Sequence, residues 1–194
     1  MTLAAFADSP TLNMVQGQIA PNGVTHDAVM ETFLMFDRAA YLPPIAQARA
    51  TMDDNVCDAT GALLLLRPLT LAWMIQHLAR SDQRGQVAVI GDASGYTADL
   101  LRALGFAAID VADEEALGAA GPWQGILLHG AVPALPPILF PYLEPRGVLL
   151  AVVQPAGQAM GDVVAAMGAS SLTVLGQAGA PYVEGFAPLK SFSL

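Results

Sequence analysis

Apolar residues recur at helical spacing in two stretches of the first half of the chain. The stretch "THDAVMETFLMFDRA" carries its apolar stripe at Val29, Met30, Phe33 and Phe36. This spacing predicts an amphipathic helix with Thr25 as its N-cap. The second stripe lies at Leu71, Met74, Ile75 and Leu78. Because Pro68 suits a first helical turn, we predict a helix from about Pro68 to Ala79.

Between these helices, the chain from Ile45 to Ala62 is irregular and largely polar. We predict a loop here that wraps the domain. The four leucines that follow, Leu63 to Leu66, form either an apolar plug or a contact surface.

The second half alternates short apolar runs with helical pieces. The runs "QVAVIG", "FAAIDVA", "GILLHG", "GVLLAVVQ" and "SLTVLGQ" have the length of strands that are buried on both faces. The pieces "YTADLLRALG" and "QAMGDVVAAMG" are predicted helices. This alternation is typical of an open, mostly parallel α/β sheet. The tail "FAPLKSFSL" is predicted as an antiparallel end strand.

Length and charge limit the classes of function. The 194 residues suit an N-terminal helical extension and wrapping loop over 1–67 and an α/β domain over 68–194, predicted to form one folding unit. A formal net charge of −9 argues against binding of a nucleic-acid backbone. No apolar run approaches the ~20 residues that span a bilayer, so an integral membrane protein is not expected. The start carries no recognisable signal peptide, and a cytoplasmic location is expected.

Cysteine and histidine give little sign of metal chemistry. The single cysteine, Cys57, excludes an internal disulfide and a cysteine-based metal cluster. His26, His77 and His129 lack the spacing of a metal site, and His77 is interpreted as a rim residue. His129 follows "GILL" at the carboxyl end of a predicted strand, where sites form in α/β sheets. It is read either as catalytic or, in the favoured interpretation, as bonded locally in the turn before "AVP".

Three stretches in the same order along the chain resemble protein-L-isoaspartate O-methyltransferases. "LNMVQGQIAPNGV" is similar to the N-terminal signature of that family, and "FDRAAYLPP" places Arg38, Tyr41 and Pro43 at matching positions. "GILLHGAVPALPPILFPYLEPRGVLLAVV" resembles its fourth strand, the following turn and its fifth strand. The resemblance is strongest to the alphaproteobacterial branch. It implies an α/β, Rossmann-like methyltransferase fold that uses S-adenosylmethionine to methylate isoaspartyl carboxylates.

The chain departs from this family in the substrate loop. Anchored on Pro68, the family positions fall on Leu63 to Arg67. Leu66 stands where the family has a serine, and Leu63 stands where it has a glutamine. Leucine side chains supply neither a hydroxyl nor an amide, so they cannot hold or polarise a carboxylate.

The cofactor loop departs in the same direction. Gly91, Ser94 and Gly95 remain and are the candidate contacts to S-adenosylmethionine, because a close ligand favours glycine where a Cβ would intrude. Asp92 and Ala93 replace the usual small residue and middle glycine, and Val89 replaces the family's acidic residue on the preceding strand.

The ribose position is displaced as well. Ala112 is in strict register with the family's ribose-binding carboxylate, and Asp113, one place later, is the candidate for that role. The alternative is that Asp113, Glu114 and Glu115 form a solvated helix start, where carboxylates favour the helix dipole.

The spacing of the central strands predicts a reduced fold. Only Ala112 to Gln124 lie between the second and third predicted strands. A full βαβ unit needs about 30 residues, so the family's third strand and a neighbouring helix should be missing. Such a loss exposes a new sheet edge.

Two functional hypotheses remain. In the first and favoured one, the chain is a degenerate, non-enzymatic accessory or interaction subunit of a larger assembly, with no cofactor expected. The resemblance to the alphaproteobacterial branch suggests respiratory complex I as a more specific partner, with the chain peripheral to the membrane. In the second, it is an active S-adenosylmethionine-dependent protein carboxyl methyltransferase that uses Gly91, Ser94, Gly95 and Asp113.

Overall fold

A central sheet of six strands organises residues 9–112, 114–168 and 171–187, which the computed structural model describes. A two-stranded ribbon precedes it. The strands are β1 Val56–Cys57, β2 Leu63–Leu65, β3 Gln86–Ile90, β4 Ala107–Val111, β5 Trp123–Val132, β6 Leu143–Val153, β7 Gly161–Met167 and β8 Ser171–Ala178. The sheet order is β4-β3-β5-β6-β7-β8, and β1 pairs with β2.

The sheet is parallel from β4 to β6 and antiparallel at β7 and β8. The strand that follows β3 along the chain, β4, pairs with one edge of β3, and the next strand, β5, pairs with the opposite edge. Sites in open α/β sheets form at this kind of switch point, beyond the carboxyl ends of the strands. The predicted α/β class with a mostly parallel sheet and an antiparallel C-terminal part is therefore confirmed.

The α-helices of the described residues are α1 Pro10–Met14, α2 Asp27–Met35, α3 Pro68–Ala79, α4 Tyr96–Ala103 and α5 Glu114–Ala120. Shorter turns of other helical types span Val15–Ile19, Ala20–Asn22, Arg38–Tyr41, Pro44–Arg49 and Pro137–Tyr142. The bounds predicted for the second helix are confirmed by α3. The predicted loop from Ile45 to Ala62 instead contains a 3-10 helix and the β1 strand. None of the described helices is long and apolar enough to cross a membrane.

The predicted N-cap of α2 was wrong. The helix begins at Asp27, with His26 at the cap position. The amides of Thr25 and His26 both donate to Oε1 of Gln76 on α3, at 2.7 and 3.0 Å. Because a side chain from another helix binds these amides, the start of α2 is set by tertiary contact rather than by Thr25.

The helix predicted near Gln158 to Gly168 was also wrong, because this stretch forms β7. Val163 and Ala165 pack into one apolar cluster, whereas Ala166 packs into the cluster on the other face of the sheet. A segment that is buried on both faces between two strands reads as apolar at every position, so its periodicity does not separate a helix from a strand.

The predicted loss of a strand agrees with the topology. Between Val111 and Trp123 the described residues form α5 and no strand, and β4 is an edge of the sheet. In the tail, the described part ends at Ala187, so most of the predicted strand "FAPLKSFSL" lies outside the described residues. The described antiparallel strands are β7 and β8.

Two apolar clusters lie on opposite faces of the sheet. The larger one joins Met14 and Phe33 of the N-terminal segments to Leu71 of α3 and Val87 of β3. The smaller one contains Leu117 of α5 together with side chains from the other face of the strands. The division of the chain at residue 67 stays a prediction, although residues from both sides of it share the larger cluster.

Candidate functional site

The candidate site is the loop between β3 and α4, at the carboxyl ends of the central strands. Gly91 and Gly95 have φ angles of +90° and +76°, which favour glycine. The structure brings three of the predicted site residues, Gly91, Ser94 and Gly95, together in this loop. The fourth, Asp113, lies outside the described residues.

The side chain of Asp92 turns into this loop and binds its own backbone. Oδ1 accepts hydrogen bonds from the amide of Ser94 at 2.9 Å and from its hydroxyl at 2.5 Å. Oδ2 accepts from the amide of Thr97 at 2.7 Å. Asp92 therefore caps the first turn of α4, and the sequence prediction missed this role.

Several effects act on the protonation of Asp92. Burial raises the pKa of this carboxyl, whereas the nearby His129 ring and the bonds from Ser94 and Thr97 lower it, with a net decrease. Nδ1 of His129 lies 4.0 Å from Oδ2. Asp92 is thus a buried carboxylate whose hydrogen bonds are made inside the protein.

His129 links the end of β5 to two distant segments. Its Nε2 accepts the amide proton of Leu66 at 3.0 Å, and its Nδ1 lies 2.9 Å from Oγ1 of Thr97. Because Nε2 accepts from an amide, the proton of the neutral ring is on Nδ1 and is donated to Thr97. Burial lowers the pKa of His129, which favours the neutral ring. The predicted local bond in the turn before "AVP" is therefore wrong: the bonds are long-range.

The four leucines act as a plug at this site. Leu65 and Leu66 have no exposed surface, and Leu63 and Leu64 pack against the larger cluster. The carbonyl of Leu66 accepts a hydrogen bond from Nη2 of Arg38 at 3.0 Å. Together with the His129 bond, this contact fixes both backbone groups of Leu66, the residue that the resemblance places at the family's serine position.

Arg38, one of the residues that carried the resemblance, is fully buried beneath this plug. Nε donates to the carbonyl of Ala50 at 2.7 Å, and the guanidinium carbon lies 5.1 Å from the centroid of the Tyr96 ring. Burial lowers the pKa of Arg38, and nearby Tyr96 and Asp92 oppose that effect. Burial also raises the pKa of Tyr96 to about 12. Arg38 thus stabilises the loops around the site by binding their carbonyl groups.

A later segment of the chain packs beside Gly91, which itself remains exposed. The amide of Ala131 donates to the carbonyl of Pro181 at 2.8 Å, and the amide of Val183 donates back to the carbonyl of Ala131 at 2.9 Å. A Cβ added at Gly91 would lie 3.2 Å from Cγ1 of Val183. Val183 therefore limits the space on one side of Gly91.

A small apolar cavity remains beside the loop, at the ends of β3 and β4. It has a volume of about 230 Å³, below the roughly 300–1,000 Å³ of typical ligand pockets. Ile90 and Ala112 line it from the strands, and Phe186 lines it from the later segment. Glu184 is its charged lining residue among the described residues.

Two described residues of this site differ from what the resemblance implies for S-adenosylmethionine. Val89, which the resemblance places at the family's acidic position, is a core side chain that is 1% exposed. The carboxylate of Asp92 is bound to amides of its own loop. Among the residues described, no group of three His, Cys, Asp or Glu side chains could hold a metal ion.

Comparisons with known proteins give consistent relatives. No protein-family model matches the sequence. A protein-L-isoaspartate O-methyltransferase of Chlorobium phaeobacteroides strain BS1 is 26% identical over 159 residues, covering 69% of this chain and 72% of the relative. One of Bradyrhizobium sp. strain BTAi1 is 27% identical over 173 residues, covering 75% and 80%.

The fold comparison agrees. The crystal structure of a Plasmodium falciparum protein, described as a putative protein-L-isoaspartate O-methyltransferase in complex with S-adenosyl-L-homocysteine, aligns with a TM-score of 0.65. The alignment covers 90% of this chain and 97% of that one at 15% identity, and it therefore supports similarity of fold.

Proposed function

We propose that this chain, which belongs to the protein-L-isoaspartate O-methyltransferase family by its sequence relatives and its fold, is a non-enzymatic accessory subunit. In this role the methyltransferase-like fold serves protein–protein interaction within a larger assembly. No cofactor takes part in the proposed role.

The observation that carries this proposal is that a side chain of the loop itself binds the loop amides. The Asp92 carboxylate accepts the amides of Ser94 and Thr97, and the fully buried Leu66 stands where the resemblance places a serine. A ligand that bound these amides would have to displace Asp92, and a buried polar group left without a partner costs about 1–3 kcal/mol. These native contacts therefore favour the non-enzymatic role.

Respiratory complex I is the more specific partner in this proposal. The support is the resemblance to the alphaproteobacterial branch of the family, together with the acidic composition of a chain with a net charge of −9. The proposed location is cytoplasmic, at the periphery of the membrane complex.

The second candidate is an active S-adenosylmethionine-dependent protein carboxyl methyltransferase. It is favoured by the names of the sequence relatives and by the S-adenosyl-L-homocysteine bound to the structural neighbour. In this candidate, Gly91, Ser94 and Gly95 contact the cofactor and Asp113 binds the ribose.

Calorimetric titration separates the two candidates. The purified chain is titrated with S-adenosylmethionine and, separately, with S-adenosylhomocysteine, at protein concentrations that detect millimolar affinity. An active isoaspartyl methyltransferase under the same conditions is the positive control. The accessory role predicts no heat of binding and no thermal shift. Micromolar binding, followed by methyl transfer to an isoaspartyl peptide, would establish the second candidate instead.

A further inference from the structure

The positive charge of this acidic protein is distributed unevenly. Five of the described arginines are bonded within the chain: Arg38, Arg49, Arg67, Arg84 and Arg102. Arg80 and Arg146 are exposed, and neither side chain has a hydrogen-bond or ion-pair partner among the residues the structure describes. These two guanidinium groups are therefore available to bind an external anion.

Both free arginines line one groove, which we call the α3–β8 groove. It consists of two adjoining depressions of about 500 and 430 Å³ that share His77 and Ser81. Arg80 lines the first and Arg146 lines the second. Burial and the neighbouring Arg80 lower the pKa of His77, so this ring is neutral at pH 7. Asp82 is the acidic residue of the lining, so the groove carries a net positive charge.

The first depression borders β8, the last strand of the described sheet, and the second reaches Met167 at the end of β7 and Arg146 near the start of β6. The eight residues of this strand include no charged residue and no proline, the features by which proteins usually protect a sheet edge from pairing. Three apolar side chains near this edge are about half exposed: Met167, Leu172 and Val174, at 51%, 54% and 53%. Among the strands that the structure describes, none pairs with the outer edge of β8, so this edge offers backbone groups and apolar surface to another strand.

We propose that the α3–β8 groove binds an extended, acidic segment of a partner protein. The segment pairs with β8 beside the first depression and continues across the sheet into the second, so that its carboxylates reach Arg80 and then Arg146 near the start of β6. In this mode of recognition, backbone bonds give affinity and side chains give specificity. This inference rests on the proposed function, because it names the class of partner that an accessory subunit would hold.

The location of the groove separates it from the candidate cofactor site. Gln124 and Arg146, which line it, lie near the amino ends of β5 and β6, whereas the glycine loop lies at the carboxyl end of β3. A partner segment can therefore bind whether or not the glycine loop holds a cofactor.

Peptide binding to the full chain tests the proposal. The probe is a fluorescent peptide of about ten residues in which valine alternates with glutamate, and the comparison peptide carries lysine in place of glutamate. Fluorescence anisotropy should show binding of the glutamate peptide and little binding of the lysine peptide. Arg80→Ala with Arg146→Ala should weaken binding about tenfold, since exposed charge pairs contribute modestly. Added salt should weaken it as well.

A double variant of matched charge is the control. Arg67→Ala with Arg102→Ala removes the same charge away from the groove, and it should bind the peptide as the wild type does. A benzophenone on the glutamate peptide should crosslink to β8 or α3. Equal binding of the two peptides, equal loss in both double variants, or stronger binding of a thymidine oligonucleotide would overturn the proposal.

The peptide test and the cofactor titration can fail separately. If S-adenosylmethionine binds and is used, the accessory role fails while the peptide result still decides the groove. If neither cofactor nor peptide binds, the groove proposal is wrong and the scaffold role remains with another surface.

Discussion

The amide of Leu66 donates to Nε2 of His129 across 3.0 Å, and this bond joins the end of the β2 ribbon to the end of β5. It holds a fully buried leucine beside the His129 ring, whose other nitrogen bonds to Thr97 at the start of α4. It also commits the ring nitrogen that a catalytic histidine would use to accept a proton. Its consequences for stability and pH are measurable.

Replacing His129 should change how stability depends on pH. The pKa of His129 is lowered in the folded protein, so the unfolded chain binds more protons as the pH falls below about 6.5. The stability that the neutral ring contributes is therefore fully present above about pH 6.5, and it is lost as the pH falls toward the lower pKa of the folded state. The free energy of unfolding changes by at most about 1.4 kcal/mol per pH unit in this range. Urea unfolding from pH 5 to 8 should therefore give a flatter profile for His129→Gln.

His77→Gln is the comparison for that experiment. The pKa of His77 is lowered by burial and by Arg80, but its side chain is only half buried. His77→Gln should therefore change the pH dependence of the free energy of unfolding less than His129→Gln does. An unchanged profile for His129→Gln would show that this ring is not held neutral.

Replacing Leu66 with serine tests the plug. Leu66→Ser removes a fully buried side chain and leaves a hydroxyl in an apolar site, which should cost about 3–5 kcal/mol in the free energy of unfolding. Leu64→Ser, at a half-buried position of the same segment, should cost clearly less. We expect no methylation of an isoaspartyl peptide by either variant. Methylation of the peptide by Leu66→Ser would contradict the proposed non-enzymatic role.

Removing the Asp92 carboxylate should destabilise the start of α4. Asp92→Ala leaves the amides of Ser94 and Thr97 without their acceptor, for a cost of about 1–3 kcal/mol measured by chemical denaturation. Asp82→Ala, at an exposed carboxylate on another loop, should stay within about 0.5 kcal/mol of the wild type. Equal losses of stability in the two variants would show that Asp92 does not stabilise the start of α4.

The contact of Val183 with Gly91 can be measured against a glycine of similar conformation. Gly91 and Gly157 have φ angles of +90° and +81°, but an added Cβ meets Val183 at Gly91 and nothing within 4 Å at Gly157. Both alanine variants should lose about 1 kcal/mol from backbone strain. Gly91→Ala should lose about 1 kcal/mol more through overpacking. Val183→Ala should remove that extra cost in a double-mutant cycle.

Elements whose cause is local were predicted well. The bounds of α3 follow from Pro68 at its first turn and from one apolar stripe. The missing strand follows from the few residues between Val111 and Trp123. In both cases the chain itself contains the physical constraint, which is periodicity in one and length in the other.

Features that depend on distant contacts were not predictable. Asp92 reads along the chain as an intrusion into a glycine loop, whereas its inward bonds require the fold of the loop and α4. Nothing in the sequence around Val183 indicates that this residue lies beside Gly91. β7 was taken for a helix because burial on both faces removes the alternation by which strands are recognised.

The segment from Pro181 to Val183 is attached to the sheet by few bonds. Two backbone bonds join it to Ala131, and the hydroxyl of Tyr182 donates to the carbonyls of Gln154 and Pro155, whereas β3 and β5 are held by their own ladder. Release of this segment is a local opening with a lower free energy than global unfolding. In amide hydrogen exchange, the Val183 amide should therefore exchange sooner than amides in β3, so this segment and the sheet behave as separate cooperative units.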